Sequence, residues 1–193
     1  MLETGLTYDP GTKYSYSNDG YSALGRVIEA VSGLDYEEYM TSMIMYPLGI
    51  YDMQVGKVLP KDFHEREARY YGAGYIKSIY VTGEDVPWQY GGQNYPEMDA
   101  LGGWTTTARD LNRLLVAVDG YDTKPDILTA ETLGIMTTPS TVYPYYAKGW
   151  GIRPNGIYTH NGALTGTFSI WTRSIQGFTY TLILNMDRND GYL

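Results

Sequence analysis

The sequence predicts an α+β protein in which helices pack on an antiparallel C-terminal sheet. Where apolar residues show a period in the first two thirds of the chain it is helical, and beyond about residue 141 the period shortens to two. Helices therefore come first and strands last, the order expected when helices lie on one face of a terminal sheet. On this reading residues 1–193 form one domain, mainly helix and loop over 1–140 and antiparallel strands over 141–193.

Pro10-Gly11 marks a turn, after which residues 13–16 run extended into the Asn18-Asp19-Gly20 break. Tyr21, Leu24, Val27, Ile28 and Val31 then form a helical stripe, with Gly33 where a left-handed terminator belongs. Asp35 and Glu38 resemble a capping box for the next helix, whose stripe of Tyr36, Tyr39, Met40, Met43 and Ile44 stops at Pro47. Residues 51–98 hold no sustained period and read as loops with short strands that cover a surface or line a cleft. Thr107 is the expected cap of a helix that turns Leu111, Leu114, Leu115 and Val118 inward, and a shorter helix runs from near Thr129 to before Pro139. Alternation then marks strands over 149–153, 156–160, 168–173 and 178–185, with a turn at Gln176-Gly177: a meander of three or four strands.

At 193 residues and 43% hydrophobic the chain is long enough to bury a core. Fourteen Lys and Arg against 22 Asp and Glu give a net charge of -8, which argues against nucleic acid and anionic membranes as partners. With no Cys there is neither a disulfide framework nor a thiolate site. No apolar run approaches the ~20 residues of a transmembrane helix, and Met1-Leu-Glu-Thr-Gly5 lacks the basic and apolar regions of a signal peptide. With His64 and His160 the only histidines, and no second His on the His64-Glu-Arg-Glu-Ala68 stretch, no metal site and no cofactor are expected.

Two stretches carry chemistry. Tyr16-Ser17-Asn18 puts a phenol and a carboxamide at the mouth of a helix, where they serve either as an ordinary capping loop or as groups that move a proton and orient a substrate. His160-Asn161-Gly162-Ala163 contains Asn-Gly, the strongest short-range hairpin signal. Running instead along an edge strand, it would turn backbone N–H groups toward a cleft, and Gly162 would let a substrate approach.

Taken together, the pieces resemble the serine β-lactamase-like superfamily of class C β-lactamases, DD-peptidases and related esterases and D-aminopeptidases. The resemblance is carried by Pro10-Gly-Thr-Lys-Tyr-Ser-Tyr-Ser-Asn-Asp-Gly-Tyr21, Glu29-Ala-Val-Ser-Gly33, Pro47-Leu-Gly-Ile50, Ala100-Leu-Gly-Gly-Trp-Thr-Thr-Thr-Ala-Arg-Asp-Leu111, Lys148-Gly-Trp-Gly151 and His160-Asn-Gly162, in that order. It implies a serine hydrolase that works through an acyl-enzyme on a small-molecule or peptide amide or ester. By the same resemblance Tyr16 assists proton transfer to and from the serine, and Asn18 orients the acyl side of the substrate. His160 supplies or tunes the positive field a phenol needs, since a phenol of pKa about 10 is otherwise a poor base at neutral pH. Asn161 and Gly162 bind substrate, and the Ala163 N–H is one oxyanion-hole donor. His160 in place of Lys resembles the peptidase and esterase branches more than true β-lactamases. Asn161 stands where Thr, Ser or Gly is usual, which bears against hydroxyl recognition of a substrate carboxylate.

The resemblance also implies a Ser-x-x-Lys helix upstream of Tyr16, and no Ser in the chain has Lys three residues later. A family helix expected after the sheet is likewise not legible in Asp187-Arg-Asn-Asp-Gly-Tyr-Leu193. The expectation is therefore an incomplete β-lactamase/DD-peptidase-like fold, a partial domain without its nucleophile and inactive alone. A non-catalytic binding or structural module that keeps the fold is the alternative. Exposed apolar surface beyond a few hundred Å² tends to find a partner, so a homo-oligomer or a complementing N-terminal segment is expected. The resemblance implies an extracytoplasmic location, while the sequence itself names no compartment.

Overall fold

The computed structural model describes residues 5–186, so the 187–193 tail and residues 1–4 lie outside the described residues. Helix α1 (Asn18–Ser32) starts where Ser17 Oγ accepts the Gly20 N–H at 3.0 Å, and ends at Gly33, whose φ of 74° lets its N–H reach the Glu29 carbonyl. Gly25 is the buried residue of this helix, and its bare Cα faces Ala100. The apolar stripe is largely uncovered: Leu24 and Val27 are 55% exposed and Val31 84%.

The second helix differs from expectation at its start. Asp35 makes no side-chain cap to α2 (Tyr36–Tyr39); Glu29 Oε1 of α1 accepts the Tyr36 N–H at 3.0 Å instead. A longer carboxylate from the neighbouring helix satisfies the orphan donor and fixes the corner between α1 and α2. Helix α2 continues as a π-helical turn, Met40–Met45, where the Thr41 and Ser42 hydroxyls bond back to the Glu37 and Glu38 carbonyls. A 3-10 turn, Tyr46–Leu48, then ends at Gly49, leaving Met45 and Ile50 fully buried.

Between the helices lie two small antiparallel ladders, β1 (Gln54–Val55) with β4 (Trp104–Thr105), and β2 (Tyr75–Lys77) with β3 (Asp85–Pro87). Helix α3 (Ala108–Val116) is capped by Thr107, whose Oγ1 accepts the Asp110 N–H at 3.1 Å, and α4 (Ala130–Thr137) is capped by Thr129.

The C-terminal sheet is a four-stranded meander of β5 (Gly151–Ile152), β6 (Tyr158–Leu164), β7 (Thr167–Arg173) and β8 (Thr179–Leu184) in sequential order. Helix α3 packs on β7 and β8, so helices do lie on the sheet as the order of elements predicts. Leu115 of α3, fully buried, meets Ala147 and Trp150, with Val118, Met136, Ile152, Tyr158 and Trp171 closing around them. The Trp150 and Trp171 rings stack at 5.5 Å, and Tyr158 meets Trp150 edge-on at 6.2 Å.

Candidate active site

The Asn161-Gly162 pair does not turn the chain. It lies inside β6, paired with Ile170 and Ser169 of β7, and the hairpin is made two residues past Ala163 at Thr165-Gly166, where Gly166 takes a φ of 80°. Seven residue pairs from Tyr158↔Arg173 to Leu164↔Thr167 hold this register. On the other side, β5 pairs only with Tyr158 and Thr159, so from His160 onward the outer edge of β6 faces no strand among the described residues. Asn161, Gly162 and Ala163 are exposed there. A Cβ added to Gly162 would stand 3.1 Å from Ser169 Oγ, so glycine keeps that point of the wall open.

The other stretch meets this edge. Tyr16 sits just before the Ser17 cap, Asn18 opens α1, and the Tyr16 ring lies 6.3 Å from the His160 ring. Tyr16, Asn18, His160, Asn161, Gly162 and Ala163 all line one cleft of about 1450 Å³. That exceeds the ~300–1,000 Å³ usual for a small-molecule pocket. Across it stand apolar side chains, among them Met40, Met45, Leu111 and Leu114.

A residue that the sequence did not single out completes the wall. Tyr146 Oη lies 2.8 Å from His160 Nε2, and its ring stands edge-on to Tyr16 at 6.2 Å. On the opposite side of the imidazole, Nδ1 lies 2.9 Å from the Asn161 carbonyl oxygen. A carbonyl only accepts, so Nδ1 carries a proton. Burial lowers the His160 pKa below its ordinary 6.5, an effect partly opposed by that backbone bond, and the ring is neutral at pH 7. The neutral ring then has a bare Nε2, to which the Tyr146 hydroxyl donates. Burial and then the Tyr21 phenol push the Tyr146 pKa upward, which keeps that donor protonated. Of the two roles the resemblance implies for His160, supplying or tuning the field at Tyr16, a neutral ring fits the second. Tyr146 was hidden by numbers, being one of 21 Tyr. Its place two residues before Lys148-Gly-Trp-Gly151 was the available signal.

Among the described residues no cluster of His, Asp and Glu could hold a metal ion, and no helix is long and apolar enough to cross a membrane. The beta-lactamase family model matches residues 1–191. The chain belongs to the beta-lactamase family. A putative beta-lactamase-like protein from Homo sapiens is 33% identical over 117 residues, 60% of this chain and 20% of that protein. A putative D-alanyl-D-alanine carboxypeptidase from Salmonella paratyphi B is 38% identical over 50 residues, 26% of this chain and 12% of that protein. The D-amino acid amidase of Ochrobactrum anthropi, solved with D-phenylalanine, superposes with a TM-score of 0.69 at 26% identity, covering 96% of this chain and 55% of that one. The chain thus spans about half of that amidase structure and a smaller share of the two relatives.

Proposed function

We propose that this chain forms the Tyr-x-Asn and His-x-Gly walls of a serine-hydrolase active site that cleaves an amide or ester through an acyl-enzyme. The observation that carries the proposal is the meeting of Tyr16 and His160, far apart in sequence, with ring centroids 6.3 Å apart beside a strand edge that faces no strand among the described residues. In this reading Tyr16 relays the serine proton, Asn18 and Asn161 orient the substrate, Gly162 admits it, and the Ala163 N–H faces the developing oxyanion. The likeness to the D-amino acid amidase and the carboxypeptidase supports amidase, peptidase or esterase chemistry over β-lactam hydrolysis. Within that set a neutral His160 and a carboxamide at Asn161 support an amide or ester without a carboxylate at that point, because neither offers a full charge to one.

Acylation needs a serine beside a base, and no Ser-x-x-Lys occurs in the 193 residues. The nucleophile, and the cation that a phenol needs to act as a base, are supplied in this proposal by a segment outside these residues, seated in the large cleft. Labelling with a fluorescent penicillin or a phosphonate, read by intact mass, tests it. The chain alone is expected to form no adduct, and the longest polypeptide of its reading frame to form one on a serine outside these residues. An adduct on a serine of this chain, or none on either polypeptide, sinks the proposal, the second result leaving a binding module that keeps the cleft.

A further inference from the structure

We propose that Tyr146 is the positioning residue of this site, its phenol holding the His160 imidazole in a single neutral tautomer with the proton on Nδ1. The role in catalysis rests on the hydrolase reading above, whereas the tautomer rests on the two hydrogen bonds of the ring and on its burial. Three contacts converge on it. His160 Nδ1 is committed to the Asn161 carbonyl at 2.9 Å, Nε2 to the Tyr146 hydroxyl at 2.8 Å, and the Tyr146 ring packs edge-on to the imidazole at 5.7 Å. Both ring nitrogens are thereby used, and the ring has no freedom to flip without breaking two hydrogen bonds.

The groups around the imidazole explain why the tautomer is single. From the segment before α1 comes Tyr16, whose ring lies 6.3 Å away; from β7 comes Trp171, directly opposite His160 in the register. Behind Tyr146 stand Tyr14, at 5.6 Å ring to ring, and Tyr21 of α1, which interacts with its hydroxyl. No Asp, Glu, Lys or Arg is among the hydrogen-bond or ring partners described for His160. With no carboxylate there to stabilise an imidazolium, the phenol decides which form persists. Protonating Nε2 sets a donor against a donor unless the Tyr146 proton turns toward the Tyr21 oxygen. A neutral ring therefore keeps the Tyr146 proton pointed at Nε2, and a charged ring releases it toward Tyr21. In the hydrolase, this arrangement keeps the β6 edge uncharged beside Tyr16 and fixes the orientation of the strand that receives the substrate.

The test uses the purified chain and long-range proton–nitrogen correlation spectra of its imidazoles, a tractable measurement because the sequence has only two histidines. In the wild type, the His160 nitrogens are expected to report a proton on Nδ1 and a titration midpoint below the ordinary value. The Tyr146→Phe variant keeps the ring contacts and removes the donor; its midpoint is expected to rise by about half a unit to one unit, the equivalent of one hydrogen bond, with a mixed tautomer. A wild-type proton on Nε2 overturns the proposal even if the variant fails to fold. So does a folded variant whose tautomer and midpoint match the wild type, the result expected of mere packing. Since the readout is spectroscopic, a chain that passes while no serine probe labels any form of the protein would sink the hydrolase reading and leave this inference intact.

Discussion

Replacing Gly25 by Ala offers a test of how α1 is docked. A Cβ at position 25 would lie 2.4 Å from the Ala100 Cβ, whereas carbons pack best at about 3.5–4.0 Å. Neither atom can rotate away, so α1 must retreat by more than roughly 1 Å from the residue 100 loop. Overpacking of this kind costs about 1–3 kcal/mol. Against it, Ala in a helix interior gains about 1 kcal/mol over Gly. The net is a loss of about 1 kcal/mol, or a Tm lower by about 2–4 °C for a domain near this size. The magnitude is modest, but its sign depends on the partner. In an Ala100→Gly background the clash is gone, and Gly25→Ala is expected to raise Tm instead. Thermal melts of the four proteins of this double-mutant cycle make the comparison. The same sign in both backgrounds would falsify the close approach of α1 to the loop, and with it the placement of Asn18 and Tyr16 at the end of a rigidly seated helix.

Ser17→Ala removes the bond from the Gly20 N–H and is expected to cost about 1 kcal/mol, with faster amide exchange at Gly20; unchanged exchange there counts against the cap. His160 makes stability depend on pH. Its folded pKa lies below the unfolded value of 6.5, chiefly through burial, so the unfolded chain takes up a proton that the native site resists. Stability is therefore expected to be fully present above about pH 6.5, to fall as acid brings the pH from there toward the folded pKa, and to change no further on this account below it. His160→Gln should lose that component of the slope, and an identical Tm-versus-pH curve in the variant rules it out.

Local chemistry made much of the fold legible. The caps Thr107 and Thr129, the left-handed Gly33 and the alternation of β7 and β8 each follow from nearest-neighbour rules and stand close to where those rules put them, whereas β6 runs four residues past the expected end at His160. Long-range partnerships were not legible. Nothing near Asp35 announces that Glu29 will cap α2, and no spacing rule predicts the π turn at Met40–Met45. Asn161-Gly162 carried a strong turn signal that tertiary pairing overrode, because β7 has an uninterrupted ladder to offer it. In the site, Tyr16, Asn18 and His160 could be picked out by motif and do share a cleft. Tyr146 could not, because what distinguishes it from the other tyrosines is a contact 14 residues away in sequence. Equally, the charge state of His160 depends on burial, which the order of residues does not state.

The tight Thr165-Gly166 connection has a consequence for how this site tolerates change. Side chains along β6 alternate between faces, so adding or deleting one residue within the ladder would exchange the places of His160 and Asn161 and carry Trp171 or its neighbours out of the core. Length variation is thus barred from β6, the strand proposed to meet the substrate, and diversification there must proceed by substitution at exposed positions such as Asn161 and Ala163. The loops of residues 51–98 across the cleft carry no such seven-pair ladder. Insertions at the exposed turns of that segment are expected to cost less, and an engineered library seeking new substrates would do best to hold β6 at constant length and vary the length of the opposite wall.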